Sequence, residues 1–244
     1  MRDAYLDLMK SVLNNSLYLG TDSSACHEKY YAISTWTIPR SCLPHTLCNR
    51  SQLDFLGDIM AHLIANHIQG DFLEVGVWRG GVSIFMKAFL KAHNSKKTVW
   101  VADTFSGIPL STDKFGFTSD IVDKWEDRWE ARIEEVQLHF RRYNMLDENV
   151  KFLVGEISKT VVAPIRQISL ARLDVDSYES YMDAMTSIYP LMTEGGCIIF
   201  DDWHLDSCRA ALNDFSEKNG LTGQISETFN GKNVDAHLFV RPPR

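Results

Sequence analysis

The sequence predicts an α/β fold with a mainly parallel β-sheet. Short apolar runs alternate with longer segments of helical period along most of the 244 residues, which is the pattern of parallel strands joined by helices. Glycine or acidic residues follow several of these runs, at the strand ends where such folds bind ligands. Seven runs are strand candidates, namely DFLEV (71–75), TVWVA (98–102), VKFLV (150–154), ISLARLDV (168–175), GCIIF (196–200), ISETF (225–229) and AHLFV (236–240).

Helical segments fill the gaps between the strand candidates. Two helices, at about 3–13 and 51–67, precede the first strand and are expected to form an N-terminal helical cap over residues 1–70. Residues 71–244 then form the domain that contains the sheet. A parallel crossover needs only about 12 residues, so the longer connection at 104–147 is interpreted as a lid. An exposed loop with a solvated, charged helix is the alternative.

Composition excludes several classes of partner. The net charge of -7 comes without a long basic cluster, so nucleic acid is not expected to bind. No run of about 18 apolar residues is present to span a membrane, and the N-terminus lacks the charge pattern of a signal peptide. The five cysteines, an odd number, fit a reducing compartment. We therefore expect a cytoplasmic protein without a membrane partner, and a homo-oligomer is left open.

The stretch FLEVGVWRGG joins the first strand to the next helix. Its glycines do not follow the dinucleotide spacing G-x-G-x-x-G, and Trp78 stands where backbone would approach a pyrophosphate, so a cofactor without a diphosphate fits better. Asp103 ends the second strand, where an acidic side chain can bind ribose hydroxyls. Gly155 and Glu156 follow the third strand, where a base would lie. Glu74 and Asp103 favour a cationic ligand, and S-adenosylmethionine carries a sulfonium and an ammonium group.

Carboxylates follow the fourth and fifth strand candidates. Asp174 and Asp176 lie one residue apart, and both project from one side if the strand continues through them. Asp201 and Asp202 end the next strand, on the same rim of a parallel sheet. Three converging carboxylates predict a hard-cation site, Mg²⁺ before Zn²⁺, with Asp174, Asp201 and Asp202 as ligands and Asp176 beside the metal. Capping of the following helices is the alternative role for these acids.

Blocks along nearly the whole chain resemble, in order, those of the macrocin O-methyltransferase family. They include PHTLCNRSQLDFL, GDFLEVGVWRGG, TVWVADTFSGIP, ARLDVDSYESYMDAMTSIYPLMTEGG and IIFDDWH. Members of this family methylate sugar hydroxyls in macrolide and aminocoumarin antibiotic pathways with S-adenosylmethionine and Mg²⁺. The resemblance implies a class I, Rossmann-like methyltransferase fold with a seven-stranded, mostly parallel sheet, and a small-molecule hydroxyl acceptor.

The resemblance also implies roles for individual residues. Asp174, Asp201 and Asp202 would bind the metal, and Asp176 would be the general base, with His204 as the rival base. The predicted cofactor contacts are Glu74, Val75, Gly76, Gly80, Asp103 and Ser106 in the sheet domain, Thr46 and Leu47 in the cap, and Gly155 and Glu156 after the third strand.

Three positions depart from the family pattern. Val175 replaces a usual glycine, Ser177 replaces a usual apolar residue, and Glu156 stands at a tryptophan-like position. These changes would reshape the acceptor pocket.

Two other functions are possible alternatives for this fold. A nicotinamide-dependent oxidoreductase would share the fold, but this sequence lacks the glycine spacing of such enzymes. A non-catalytic S-adenosylmethionine-binding module is disfavoured by the intact set of acids.

Overall fold

The computed structural model describes residues 1–19, 43–108, 115, 130–160, 164–221, 225–229 and 232–240. The helices of these ranges are α1 (Arg2–Leu13), α2 (Ser16–Leu19), α3 (Arg50–Ala65), α4 (Gly81–Ala92), α5 (Ile133–Arg142), α6 (Ile157–Thr160), α7 (Tyr178–Ile188) and α8 (Asp206–Lys218). The strands are β1 (Asp71–Val75), β2 (Val99–Asp103), β3 (Val150–Val154), β4 (Ile168–Leu173), β5 (Met192–Phe200), β6 (Ile225–Phe229) and β7 (Lys232–Val240).

One sheet has the strand order β3-β2-β1-β4-β5-β7-β6. The first five strands in this order pair in parallel, whereas β7 pairs antiparallel with both β5 and β6. The predicted α/β fold with a mainly parallel sheet is therefore confirmed, and its parallel part has five strands. Val75 pairs with Leu173, and Leu173 with Phe200, so β1, β4 and β5 end level with one another. This register brings the segments after these strands to one rim.

Apolar side chains cover both faces of the central strands. Phe72 and Leu170 pack with α1, α3 and α4 on one face, and Leu73 and Ala171 pack with α7 and α8 on the other. Every residue of β4 is buried. Both β1 and β4 therefore carry apolar residues on both faces, as expected for parallel strands covered by helices on both sides.

Strand β4 ends at Leu173, two residues before the predicted end. Asp174 still donates its N–H to the Val75 carbonyl at 2.9 Å, but Asp176 has a left-handed backbone with φ 59°. The prediction that Asp174 and Asp176 share one face of a continuous strand is therefore wrong. The chain instead turns at Asp176 to begin α7.

The four aspartates do not cap the helices that follow them. Ser177 is the N-cap of α7, and its hydroxyl accepts a hydrogen bond from the Ser180 N–H. Leu205 occupies the N-cap position of α8, where no side chain caps the helix. The alternative role for the aspartates, as helix caps, is therefore wrong.

The segment before α3 packs against the turn that follows β1. The His45 N–H donates to the Leu13 carbonyl at 2.8 Å, and the His45 carbonyl accepts from the Gly81 N–H at 2.9 Å. A Cβ atom on Gly81 would lie 2.4 Å from that carbonyl oxygen, so glycine is required at this close approach. Part of the predicted cap thus contacts the glycine-rich turn, although residues 20–42 lie outside the described ranges.

Part of the predicted lid at 104–147 also lies outside the described ranges, namely 109–114 and 116–129. Within it, α5 forms the C-terminal part, and the Phe115 ring stacks on Tyr178 with ring centres 6.0 Å apart.

Among the helices that the structure describes, none combines the length and the apolar character that a membrane span requires.

Candidate active site

Three carboxylates meet where β4 and β5 end. Asp174, Asp201 and Asp202 each offer one carboxylate oxygen, and these oxygens all lie within 4.8 Å of one another. The backbone sets this arrangement, because the Asp201 N–H donates to the Leu173 carbonyl at 3.0 Å and continues the β4–β5 ladder. Oxygen ligands at this separation can surround a single hard cation. The structure thus brings together the three residues predicted as metal ligands.

Hydrogen bonds hold Asp202 and the Asp176 loop together. Oδ2 of Asp202 accepts from the Tyr181 hydroxyl at 2.7 Å and from the Asp176 N–H at 3.1 Å. On the other side of the loop, the Ser207 hydroxyl donates to the Asp176 carbonyl at 2.6 Å. The backbone of Asp176 is therefore held by the turn after β5 and by α8.

Negative charge exceeds positive charge around these carboxylates. Burial raises the pKa of Asp174 and Asp176 well above the usual range, and neighbouring aspartates act in the same direction. Burial and Asp201 also raise the pKa of Asp202, against the effect of its hydrogen bond from Tyr181. Like charges in a poorly solvated place disfavour ionisation until a cation joins them. The site is therefore suited electrostatically to a bound cation.

Arg172 is the buried cation of the site, and the sequence reasoning did not identify it. Its Nη2 lies 2.7 Å from Asp201 Oδ1 and 3.0 Å from Asp174 Oδ2, while its Nη1 lies 2.7 Å from Glu74 Oε1. The signal in the sequence is an arginine inside the otherwise buried run ISLARL. Buried arginines in such runs need acidic partners, which points to the strand-end carboxylates.

Glu74 lies at the opposite end of this ion pair. Its side chain is 1% exposed, and it accepts hydrogen bonds from Arg172 and from the Ser83 hydroxyl of α4. Burial raises the pKa of Glu74 to about 7, although Arg172 and Ser83 act against this shift. These two hydrogen bonds link the end of β1 to β4 and to α4.

The backbone of the turn after β1 approaches the backbone of the segment that begins at Asp174. Gly76 has φ 78°, and a Cβ atom there would lie 1.7 Å from the Asp174 carbonyl oxygen. Gly80 has φ 81° at the N-cap of α4, and its Cβ atom would lie 2.7 Å from the Val136 side chain. Both glycines are therefore required by local geometry, and Val75 lies buried just before them.

Asp103 binds the backbone of two loops. Its Oδ2 accepts from the N–H groups of Val77 at 2.7 Å and Trp78 at 3.3 Å, and its Oδ1 accepts from the Phe105 N–H at 2.8 Å. Burial raises the pKa of Asp103, and these backbone hydrogen bonds oppose the shift. The Thr104 hydroxyl also donates to Oδ1 at 3.4 Å, so donors of the protein already meet about all four acceptor sites of this carboxylate. The Gly155 N–H donates to the Asp103 carbonyl at 2.9 Å, which places the end of β3 beside it.

The cap residues predicted to contact the cofactor precede α3. Thr46 is buried, and its hydroxyl accepts from the Cys48 N–H at 3.0 Å. Leu47, between them, is partly buried. Because the neighbouring His45 carbonyl binds the Gly81 N–H, this segment lies next to the start of α4.

The remaining predicted residues are exposed. Ser106 lies in the loop after β2. Glu156 forms a surface ion pair with Lys159 at 2.7 Å just before α6. His204 lies in the turn between β5 and α8. These three residues occupy the loops after β2, β3 and β5, where a ligand could reach them.

Comparisons with known proteins agree on one family. The family model for macrocin-O-methyltransferase (TylF) matches residues 35–231. The chain is 36% identical to the 8-demethyl-8-(2,3-dimethoxy-alpha-L-rhamnosyl)-tetracenomycin-C 4'-O-methyltransferase of Streptomyces olivaceus, over 93% of this chain and 89% of that protein. It is 34% identical to the demethyldecarbamoylnovobiocin O-methyltransferase of Streptomyces niveus, over 91% and 88% of the two chains.

Solved structures agree with the sequence comparisons. The structure of the O-methyltransferase NovP covers 100% of both chains with a TM-score of 0.82 and 32% identity. CalS11, a calicheamicin methyltransferase, shares the fold with a TM-score of 0.61 at 16% identity, over 88% of this chain and 90% of that chain. By its sequence and its fold, the chain belongs to the macrocin O-methyltransferase family and is an O-methyltransferase.

Proposed function

We propose that the protein transfers a methyl group from S-adenosylmethionine to a sugar hydroxyl of a small natural product, with Mg²⁺ as a cofactor. The observation that carries this proposal is the group formed by Asp174, Asp201 and Asp202, whose oxygens lie within 4.8 Å beside the glycine-rich turn of an O-methyltransferase. The relative from Streptomyces olivaceus is named for a rhamnosyl compound, which supports a sugar acceptor.

The cofactor would lie across the ends of β1, β2 and β3, beside the turn at Gly76 and Gly80. Glu74 and Asp103 supply negative charge there, which suits a cationic cofactor. The predicted contacts are at Glu74, Val75, Gly76, Gly80, Asp103, Ser106, Gly155 and Glu156, and at Thr46 and Leu47 of the cap, a segment that approaches the turn through the His45–Gly81 hydrogen bond.

The donor set fits Mg²⁺. It contains three carboxylates and no thiol or imidazole among its ligands, and hard cations prefer oxygen. Burial raises the pKa of Asp174 and Asp202, and the charges of neighbouring aspartates act in the same direction. A divalent ion would balance this negative charge. When bound, Mg²⁺ would supply Lewis acidity that lowers the pKa of the acceptor hydroxyl.

Asp176 is the proposed general base. Hydrogen bonds to Asp202 and Ser207 hold its backbone. Its carboxylate would therefore lie beside those of the proposed metal ligands. Burial and neighbouring carboxylates raise its pKa, which strengthens it as a proton acceptor. His204 lies on the exposed turn after β5 and is the weaker candidate.

The domain organisation is part of the proposal. Residues 1–70 would form the helical cap, and residues 71–244 would form the seven-stranded Rossmann-like domain with a lid at 104–147. The contact of Phe115 with Tyr178, two residues from Asp176, supports a lid that covers the acceptor side of the site. Closure over the substrates would exclude water from the methyl donor.

Calorimetry and product analysis test this function. S-adenosylmethionine should bind with measurable heat and NADH should not. Glycosylated natural products with free sugar hydroxyls, incubated with enzyme and S-adenosylmethionine, should gain the mass of one methyl group. Chelation with EDTA should stop turnover, and added Mg²⁺ should restore it. Full activity after removal of divalent ions would contradict the metal assignment, and NADH binding would favour an oxidoreductase.

A further inference from the structure

Tyr181 is a buried polar residue beside the metal ligands. It lies in the first turn of α7, and its side chain is 0% exposed. Its hydroxyl oxygen lies 2.7 Å from Asp202 Oδ2 and 3.3 Å from the Leu173 carbonyl. A phenol has a single proton to donate, and the shorter distance and the negative charge direct that proton to Asp202.

Two hydrogen bonds from the protein occupy the acceptor sites of Asp202 Oδ2. It accepts from the Tyr181 hydroxyl and also from the Asp176 N–H at 3.1 Å. A carboxylate oxygen has two lone pairs, so these two donors leave Oδ1 as the oxygen available to a cation. Hydrogen bonds to the outer oxygen of a metal ligand commonly fix its orientation and support metal affinity.

We propose that Tyr181 is a positioning residue of the metal site, whose hydroxyl orients Asp202 so that one oxygen faces the cation while the other holds the Asp176 loop. The inference rests on the proposed function, because it needs Mg²⁺ at Asp174, Asp201 and Asp202. It goes beyond that function by assigning a residue on α7, outside the ligand set.

Tyr181→Phe removes only the hydroxyl and tests the role. Isothermal titration with MgCl₂ should show Mg²⁺ affinity about 10- to 100-fold weaker than in wild type, the usual loss when a partner of a ligand is removed. S-adenosylmethionine affinity, measured separately, should stay within about twofold, because no hydrogen bond joins Tyr181 to the turn after β1. A residue that only supported the fold would not weaken Mg²⁺ selectively.

Tyr178→Phe is the matched control. Tyr178 is on the same helix, and its hydroxyl donates to Asp214 at 2.7 Å on an exposed surface. Its loss should leave Mg²⁺ affinity unchanged. Thermal melting without metal, run on both variants, verifies that the titrated proteins are folded.

A second variant separates the two hydrogen bonds that hold the backbone of Asp176, one to Asp202 and one from Ser207. Ser207→Ala removes the hydrogen bond to the Asp176 carbonyl without touching Asp202, so it should lower turnover while Mg²⁺ affinity stays near wild type. Equal Mg²⁺ affinity in folded Tyr181→Phe and wild type would overturn the positioning role. A wild type that binds no Mg²⁺ would overturn the proposed function itself, and the inference with it.

Discussion

Arg172 and Glu74 form a buried ion pair across two neighbouring parallel strands, with Nη1 2.7 Å from Oε1. The two residues are register partners in the β1–β4 ladder. The other end of the guanidinium contacts Asp174 and Asp201. Arg172 therefore forms ion pairs both with Glu74, beside the predicted cofactor, and with two of the predicted metal ligands.

Arg172→Met should destabilise the metal-free protein by about 3 to 5 kcal/mol, the usual cost of leaving buried charges without their partner. The loss should be smaller at low pH, because the orphaned acids can then be neutralised by protons. Urea unfolding at pH 8 and pH 5 measures both effects. Arg50→Met, at an exposed ion pair with Asp7, is the control and should cost no more than about 1 kcal/mol. Similar losses in the two variants would argue against the central role of Arg172.

Gly76→Ala and Gly220→Ala form a matched pair. Both glycines have positive φ, at 78° and 66°, but a Cβ atom on Gly76 meets the Asp174 carbonyl at 1.7 Å, whereas Gly220 has open space. Gly220→Ala should therefore cost about 1 to 2 kcal/mol of backbone strain alone. Gly76→Ala should cost clearly more and should also weaken Mg²⁺ binding, because Asp174 must move. Denaturation and calorimetry measure the two effects, and equal costs would contradict the close approach.

Asp176→Asn should lower kcat by a factor of about 10² to 10⁴, the usual contribution of a general base. Asparagine keeps the backbone hydrogen bonds to Asp202 and Ser207, so S-adenosylmethionine affinity should change little. His204→Gln should cost much less, since His204 lies on an exposed turn. Turnover at saturating Mg²⁺ decides between them, and a larger loss in His204→Gln would reverse the roles.

His45 should make stability depend on pH. Burial and the charges of His139 and Arg79 lower its pKa to about 3, and Tyr143 contacts its Nδ1 at 3.2 Å. Below the unfolded pKa of about 6.5, the unfolded chain binds a proton that the folded protein does not. Stability is therefore lost as the pH falls from about 7 toward 3, by about 2 kcal/mol between pH 7 and pH 5 for this group alone.

The comparison of wild type with His45→Gln isolates this contribution. Glutamine does not titrate and leaves the backbone contacts of residue 45 in place, so the difference in unfolding free energy between the two proteins should shrink or change sign as the pH falls. A difference that stays constant from pH 7 to pH 5 would show that His45 binds its proton equally well in the folded and unfolded states.

The sequence was sufficient for the parts of the fold that depend on local pattern. β1 and β3 have the predicted limits, since their apolar runs are bounded by polar residues and turns. The meeting of Asp174, Asp201 and Asp202 followed from parallel strands that end level. The family was also identified from its ordered blocks.

Other features depend on contacts between distant residues. Tyr181 reads as an ordinary helix residue, and Arg172 is marked in the sequence only as a charge inside an apolar run. The partners of these two residues, Asp202 and Glu74, are established only by the packing of the fold. The left-handed backbone of Asp176 could not be inferred, since non-glycine residues rarely adopt it. The interpretation of Asp103 was incomplete for the same reason, because its partners are backbone N–H groups of two loops.

The hydrogen bond between His45 and Gly81 has a consequence for how this chain can be divided. A division at residue 70 looks natural in the sequence, yet it would remove the carbonyl that binds the first N–H of α4. It would also uncover Gly81, which the backbone of His45 and Thr46 approaches closely. Chimaeras that exchange the N-terminal segment for that of a relative should therefore keep residues 43–48 with the sheet domain, and place the junction upstream of them.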